Sequence, residues 1–342
     1  MESIPSKYIK ILSLIFIGLF SVSLSFAQST AALEQIKNLN GTEKVDAILE
    51  LVSKDERDFM YEQPTEAFEL LHEALELSQK IEYNEGIKYS HYQLRNYYEM
   101  EGDFSGELEH LLQVLEHFKK QDNQYEIAET SIVIGNVYKD HGNLPDALKY
   151  YIDAKPIYEA LDNKEGVATV LGSIGIIYTN EGKHTSAVEY FNKAVDILKN
   201  IPSNEETLVK LAVTYTNLGR AESYLGNYAK ALDFFQVALE FDRKLGDNSG
   251  VAYDYFAIAE VNEKLNSNHS ALKYVNSAIE ILEKKEDVYA VTACRILEGK
   301  IYRKMGLHDK ALEQLHAALA SAQQIESLPL AKQAYEQISI LY

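Results

Sequence analysis

A small side chain returns along this chain at an almost constant interval, and this regularity constrains the fold more than any other feature. Alanine holds the recurring place at Ala67, Ala147, Ala187, Ala231, Ala271 and Ala311. Glu107 fills the place between the first two, and successive steps are 40 residues except for one of 44, which absorbs an insertion near Pro202. Such a period indicates like structural units that stack on their neighbours.

A second signature precedes each recurring alanine and shows what the unit is. Gly135, Tyr138 and Gly142 are spaced as Gly-x-x-Tyr-x-x-x-Gly, and the spacing returns from Gly175 and from Gly299. Apolar residues on both sides follow the helical period. The loop glycine permits a tight reversal, and the small alanine lets two helices approach closely. The pattern therefore predicts helical hairpins, with the aromatic residues four positions past the alanine filling the gaps between them.

These residues resemble the tetratricopeptide repeat family. The family pattern appears here as Ile134-Gly135-x-x-Tyr138, followed by Ala147-x-x-x-Tyr151-x-x-Ala154. The period of 40 exceeds the usual 34 and is similar to a long-helix branch that includes bacterial peptide-sensing regulators and sensor halves of signalling proteins. The resemblance covers roughly 43–342. It implies an all-α fold, a right-handed α-solenoid of about seven hairpins plus a terminal helix.

The N-terminal segment is expected to lie outside this fold. Lys7 and Lys10 precede an apolar stretch at 11–24, and small residues surround a potential cleavage point after Ala27. This layout is typical of a secretory signal peptide, and the alternative is an uncleaved N-terminal anchor. In both cases we expect the rest of the chain to be exported, either periplasmic or associated with the inner membrane and facing the periplasm.

The predicted organisation is a signal peptide over 1–27 and a tetratricopeptide superhelix over 28–342. Its repeats are expected near 43–82, 85–121, 125–161, 165–200, 205–245, 249–285 and 288–325, with a partial repeat at 328–342. The partial repeat places Tyr342 one period after Tyr302. We interpret it as the first helix of an eighth repeat in a longer chain, and the alternative is a terminal capping helix.

The composition of the chain limits the classes of partner and of chemistry that we expect. The formal charge is −19, which disfavours nucleic acid and anionic lipid surfaces. The single cysteine, Cys294, cannot form an internal disulfide and is expected to be a small buried hydrophobe. No metalloprotease, phosphate-loop or nucleophile-elbow motif is present. His110 and His117 lie on one helix face, which we interpret as partly exposed surface rather than a metal site. No cofactor, metal or catalytic function is predicted.

Four departures from the repeat carry structural expectations. Glu107 in place of alanine should loosen or re-register the second hairpin. Glu222 stands where tyrosine is expected, and Tyr224 is a candidate to replace it from two residues away. Pro156, late in a second helix, predicts a bend or an early end, whereas Pro145 in a first turn should cost little.

The family resemblance implies that the first helices line a concave groove. The predicted lining is Tyr92, Asn96, Asn136, Lys139, Arg220, Phe256, Lys300 and Arg303. Asn96 and Asn136 resemble asparagines that hold a peptide backbone in peptide-binding members, since an amide both donates and accepts. The cations of this group could receive a carboxylate. The alternative is ordinary surface charge paired with nearby glutamate.

The leading functional hypothesis is an exported scaffold that binds a peptide or protein in this groove without catalysis. The alternative is the sensor half of a larger signalling protein, such as a histidine kinase, nucleotide cyclase or DNA-binding regulator. The pattern leaves the partner and the oligomeric state open.

Overall fold

A computed structural model describes residues 31–53 and 58–342, and within these ranges the regular structure is helical, without strands. The predicted signal peptide lies outside the described residues. The chain divides into two compact units, one ending at Tyr150 and one beginning at Tyr151. The boundary falls within a helix.

The first unit contains α1 (Gly41–Ser53), α2 (Asp58–Glu62), α3 (Pro64–Lys80), α4 (Asn84–Glu101), α5 (Phe104–Lys120) and α6 (Gln124–Asp140), and α7 (Leu144–Ala160) crosses into the second. The second unit continues with α8 (Lys164–Asn180), α9 (His184–Lys199), α10 (Glu205–Tyr224), α11 (Tyr228–Leu245), α12 (Asn248–Lys264), α13 (Asn268–Lys284), α14 (Val288–Lys304), α15 (His308–Gln324) and α16 (Leu328–Ser339). The 40-residue period returns as the spacing of equivalent helices. This confirms the predicted array of helical hairpins.

Two kinds of turn separate the helices. Within hairpins, left-handed glycines such as Gly102 and Gly142 end the first helix. Between hairpins, acidic residues such as Asp162 and Glu286 adopt the same left-handed backbone, with φ of 50° and 58°. The next helix is often capped by a side chain: Asn163 accepts from the backbone N–H of Gly166 at 2.9 Å.

The recurring small residues are the points of closest helix packing. Ala67, Ala147, Ala187, Ala231, Ala271 and Ala311 are all fully buried. In the second unit, a Cβ added to Gly175 of α8 would lie 2.6 Å from the ring of Phe191 on α9. Gly219 of α10 and Phe235 of α11 repeat this arrangement at 2.7 Å. Glycine in one helix thus lets the aromatic ring of the other lie directly on its backbone.

The expected re-registration at Glu107 is wrong. Helix α5 begins 40 residues before α7, in the register of the other hairpins. Glu107 is 2% exposed, forms an ion pair with Arg95 at 3.5 Å and lies at hydrogen-bond distance, 3.1 Å, from His141 Nε2. The neighbouring Gly106 lies against Tyr98, where a Cβ would come within 2.3 Å of the ring. The hairpin therefore accommodates the larger side chain by moving the small residue one position and pairing the charge.

At two other departures an expected change does not occur, although the alternative of a bend at Pro156 stays a prediction. Helix α7 does not end early, because it continues past Pro156 to Ala160. A late proline removes only one backbone hydrogen bond, and the buried ring of Tyr158 holds the last turn in the core. Tyr224 does not replace the missing tyrosine: its side chain is 60% exposed and stacks on His184, while Glu222 stays buried.

Candidate functional site

A groove runs between α10 and α12 in the second unit. On α10, Val209, Val213 and Arg220 are spaced by about one or two helical turns, so they share a face. Val213 is 55% exposed, which is unusual for a β-branched apolar residue in a packed array. Two adjoining clefts lie along this face, and Arg220 lines both. We call these two clefts together the α10–α12 groove.

The first cleft, of about 430 Å³, combines apolar walls with carboxylates. Its apolar side chains are Val209, Val213, Leu245 and Tyr253, and its acids are Asp242, Asp247 and Asp254. The hydroxyl of Tyr253 donates to Asp287 at 2.9 Å, which fixes the ring at the edge of the cleft. Apolar side chains and aspartate carboxyl groups therefore line the same cleft.

Asp254 is the most deeply buried acid of this cleft, at 1% exposure. Its Oδ1 accepts from Thr216 Oγ1 at 2.8 Å, and its Oδ2 has no hydrogen-bond donor. Burial, together with the neighbouring Asp242, raises the pKa of Asp254 to about 7 against the opposing effects of Thr216 and Arg220. Burial also raises the pKa of Asp242, with Asp247 adding to the effect. The two acids therefore share a proton near neutral pH.

The second cleft, of about 230 Å³, is basic and aromatic. Arg220, Tyr224, Phe256, Glu260 and Lys264 are among its lining residues. Lys264 Nζ donates to Ser223 Oγ at 3.1 Å and lies 5.5 Å from the centre of the Tyr224 ring. Burial raises the pKa of Glu260, and Arg220 and Lys264 oppose it. Within the described residues neither Arg220 nor Lys264 has an ion pair, so both cations remain available to an anionic group.

Lys300 and Arg303, also predicted to line a groove, lie on α14 and already have partners. Lys300 and Lys304 form ion pairs with the buried Glu263 at 2.9 and 2.6 Å. Burial raises the pKa of Glu263, but hydrogen bonds from Lys304 and Lys300 outweigh it and lower the pKa. Arg303 Nη2 donates to Gln337 at 3.5 Å. Lys300 is therefore a surface cation paired with a nearby glutamate, which was the alternative to a ligand-binding role.

The remaining predicted residues belong to the first unit. Tyr92 and Asn96 lie on α4, and Asn136 and Lys139 on α6. Asn96 faces a cleft of about 600 Å³ beside Met60, but its side chain is held by Arg95 Nη1 at 3.0 Å. Burial raises the pKa of Tyr92, and Lys139 pairs with Asp140 at 3.2 Å. Of the predicted lining, only Arg220 and Phe256 meet in the α10–α12 groove.

Sequence reasoning missed Val209, Val213, Lys264, Asp242 and Asp254. Asp242 was detectable as a charged residue at a repeat position that holds uncharged residues in the other hairpins, and Asp254 as one at a position that the neighbouring hairpins fill with Thr214 and Cys294. The valines were not, because an apolar residue on a first helix is normally a core residue.

The residues considered for metal or redox chemistry are engaged elsewhere. His110 Nδ1 lies 2.9 Å from His91 Nδ1, whereas His117 contacts Asn84. In the described part of the chain, no group of three His, Cys, Asp or Glu side chains has metal-binding geometry. Burial raises the pKa of Cys294 to about 12, so its thiol is protonated at neutral pH. None of the helices in that part has the length and apolarity needed to cross a membrane.

The family model for the tetratricopeptide repeat matches residues 126–200 and 210–284. These two segments of the chain are therefore tetratricopeptide repeats. The second matched segment covers α11, α12 and all of α10 except its first five residues, so the groove apart from Val209 lies within it.

Two curated relatives match parts of this chain. A type II methyltransferase of Rhodococcus hoagii is 29% identical over 32% of this chain and 21% of its own length. Tetratricopeptide repeat protein 29 of Trypanosoma brucei brucei is 23% identical over 42% of this chain and 29% of its own length. The chain spans less than a third of either relative.

Solved structures confirm the fold. The apo form of RapI has a TM-score of 0.60 at 14% identity, covering 78% of this chain and 94% of its own. A Rap protein complexed with competence and sporulation factor has a TM-score of 0.57 at 15% identity, covering 93% and 98%. A signal transduction ATPase with a tetratricopeptide repeat sensor, from Pyrococcus horikoshii, has a TM-score of 0.60 at 15% identity, covering 93% and 49%. At these identities the likeness is one of fold.

Proposed function

We propose that this protein is an exported scaffold that holds an extended segment of a partner protein in the α10–α12 groove, without catalysis. The observation that carries the proposal is the pair of cations without ion pairs, Arg220 and Lys264, beside exposed apolar side chains in an otherwise acidic chain. Charge complementarity selects a carboxylate at this end of the groove.

The dimensions of the groove fit a short extended peptide. From Val209 to Tyr224 the helix rises by roughly 22 Å, at about 1.5 Å per residue. An extended chain advances about 3.3 Å per residue, so roughly seven residues match this length. Val209 and Val213 would receive apolar side chains, and Arg220 with Lys264 would receive a C-terminal or acidic side-chain carboxylate. A Rap protein of similar fold complexed with competence and sporulation factor supports this kind of partner.

Peptide binding is tested by fluorescence anisotropy with a library of labelled heptapeptides, each prepared with a free and an amidated C-terminus. We expect apolar peptides with a free carboxylate to bind more tightly than their amides. Arg220→Ala or Lys264→Ala should raise the Kd of such a peptide about tenfold, since each removes a charge-assisted contact.

Lys273→Ala is the matched control, because it removes one exposed lysine from α13, outside both clefts. It should leave the Kd unchanged. Equal loss of affinity in the control would show that net charge, not the groove, governs binding, and the absence of any binding peptide would remove the proposal.

Export rests on the N-terminal sequence and has its own test. We expect the protein in a periplasmic fraction to begin at Gln28, as read by mass spectrometry of its N-terminal peptide. Recovery of the whole chain from the cytoplasm would contradict this part of the proposal.

A further inference from the structure

The two buried acids of the first cleft are a paired departure from the repeat. The place of Asp254 is filled by the exposed Glu50 in the first hairpin and by buried neutral residues in the others, namely Ser90, Thr130, Val170, Thr214 and Cys294. The place of Asp242 is filled by Ser78, Phe118, Tyr158, Leu198, Leu282 and Ala322. The repeat therefore folds with neutral side chains at both places, and two successive hairpins each contribute one buried carboxyl group, Asp242 from α11 and Asp254 from α12.

No ion pair in the described residues neutralises these acids, although Arg220 in the same cleft lowers the pKa of Asp254. In the part of the chain that the structure describes, neither Asp242 nor Asp254 forms an ion pair. Burying unpaired carboxyl groups costs free energy, and sharing a proton between them reduces but does not abolish that cost. Gly250 makes room for the pair, because a Cβ there would lie 2.4 Å from Asp242 Oδ2.

The charged groups that face Asp254 come from three elements. Asp242 lies on α11 and shares the proton, and Asp247 lies immediately before α12. Arg220 on α10 is exposed and belongs also to the second cleft. The base of the first cleft is therefore negative whenever the proton leaves, and its walls of Val209, Val213, Leu245 and Tyr253 are hydrocarbon.

We propose that the first cleft binds an alkylammonium group, such as a lysine side chain of the groove's ligand, against Asp242 and Asp254. The inference rests on the proposed function in that the lysine belongs to the bound segment. The apolar walls take the methylene stem, and the two carboxylates take the three donors of the ammonium. With the carboxylate-binding end at Arg220 and Lys264, the groove selects a segment that carries opposite charges a few residues apart.

Binding of the cation is coupled to loss of the shared proton. Asp254 holds a proton up to about pH 7, and an ammonium group favours its ionised form. Since an alkylammonium stays charged to a pH of about 10, the pH dependence of the affinity follows the proton that Asp242 and Asp254 share. We expect affinity to rise about tenfold between pH 6 and pH 8, as competition from the proton disappears.

The test uses the full chain labelled with ¹³C at aspartate carboxyl groups and n-butylammonium as the probe, with 1-butanol as its uncharged analogue. The Asp254 resonance is assigned by its disappearance in Asp254→Asn. At a butylammonium concentration about ten times its Kd, the titration midpoint of Asp254 should fall by about one pH unit. Butanol should leave the midpoint unchanged. An equal midpoint with and without the amine, or an equal shift with butanol, overturns the inference.

Variants separate this subsite from general electrostatics. Asp254→Asn and Asp254→Thr should each abolish butylammonium binding while the protein stays folded, since threonine already occupies this place at Thr130 and Thr214. Asp233→Asn removes an exposed charge of α11 outside the cleft and should retain binding. Retained binding in both Asp254 variants would also overturn the inference. A protein that binds butylammonium but no carboxylate peptide refutes only the proposed function, and the reverse result refutes only this subsite.

Discussion

Two glycines in α8 provide a direct test of how hairpins pack. Gly175 lies against the buried ring of Phe191, where a Cβ would come within 2.6, 2.8 and 2.9 Å of three ring atoms. Gly172 lies about one turn earlier, and a Cβ added there would meet no atom within 4 Å. The two glycines therefore share a helix and a repeat but differ in the space beside them.

Alanine should have opposite effects at the two positions. In an exposed helix interior, replacing glycine by alanine gains about 0.5–1 kcal/mol of stability. At Gly175 the same gain is opposed by overpacking against a ring that is 1% exposed, which costs about 1–3 kcal/mol. Because the backbone gain is common to both variants, the difference between Gly172→Ala and Gly175→Ala measures the overpacking alone, about 1–3 kcal/mol.

Hydrogen exchange read by mass spectrometry is the suitable assay, because repeat arrays need not unfold in one step. We expect slower exchange of α8 amides in Gly172→Ala than in the wild type, and faster exchange in Gly175→Ala. Urea unfolding followed by circular dichroism should give the same order. If Gly175→Ala were as stable as Gly172→Ala, glycine would not be required for close packing on the aromatic ring.

Three further predictions concern buried charges and the thiol. Glu263→Ala should destabilise the chain by about 1–3 kcal/mol in urea unfolding, because Lys300 and Lys304 lose a buried partner. The pKa of Glu263 is lowered in the folded chain. This stabilisation is therefore complete above the ordinary glutamate pKa of 4.5 and is lost as the pH falls through the lower folded pKa. An effect no larger than that of Glu280→Ala, on an exposed ion pair, would contradict it. Since the folded chain keeps a proton on Asp254 that the unfolded chain releases, wild-type stability should fall between pH 3.8 and about 7, and Asp254→Thr should flatten that part of the pH profile of urea midpoints. Cys294 should react with a thiol reagent at pH 8 only after unfolding, and rapid labelling of the folded protein would show that it is not buried.

The fold was predictable because its determinants are local and repeated. The same pattern of close packing, a glycine in one helix and a small residue in the next, recurs in several repeats, as at Ala147, Ala187 and Ala311. A single departure from the pattern therefore does not hide it. Glu107 shows the limit of this reasoning. A substitution that breaks the rule predicts a shift of register, but Gly106, Arg95 and His141 compensate from three different places, and only the structure brings them together.

The candidate site was less predictable than the fold. Arg220 and Phe256 were identified by their place on first helices, whereas Lys300 on the same kind of position is held by Glu263. Whether a cation is free or paired depends on contacts between neighbouring repeats, about 40 residues apart, which single-repeat patterns do not describe. Asp254 was visible in the sequence as a departure, but its consequence depends on burial and on the proximity of Asp242.

The acidic residues that adopt left-handed backbone between hairpins offer a route to engineering. A side chain with a Cβ pays roughly 1–2 kcal/mol in that conformation, and the chain does so at Asp122, Asp162 and Glu286, among others. Glycine at these connections would relieve the strain without entering either cleft, and each replacement would also remove one negative charge. Stability and solubility could thus be changed at the connections between hairpins without changing the residues that line either cleft.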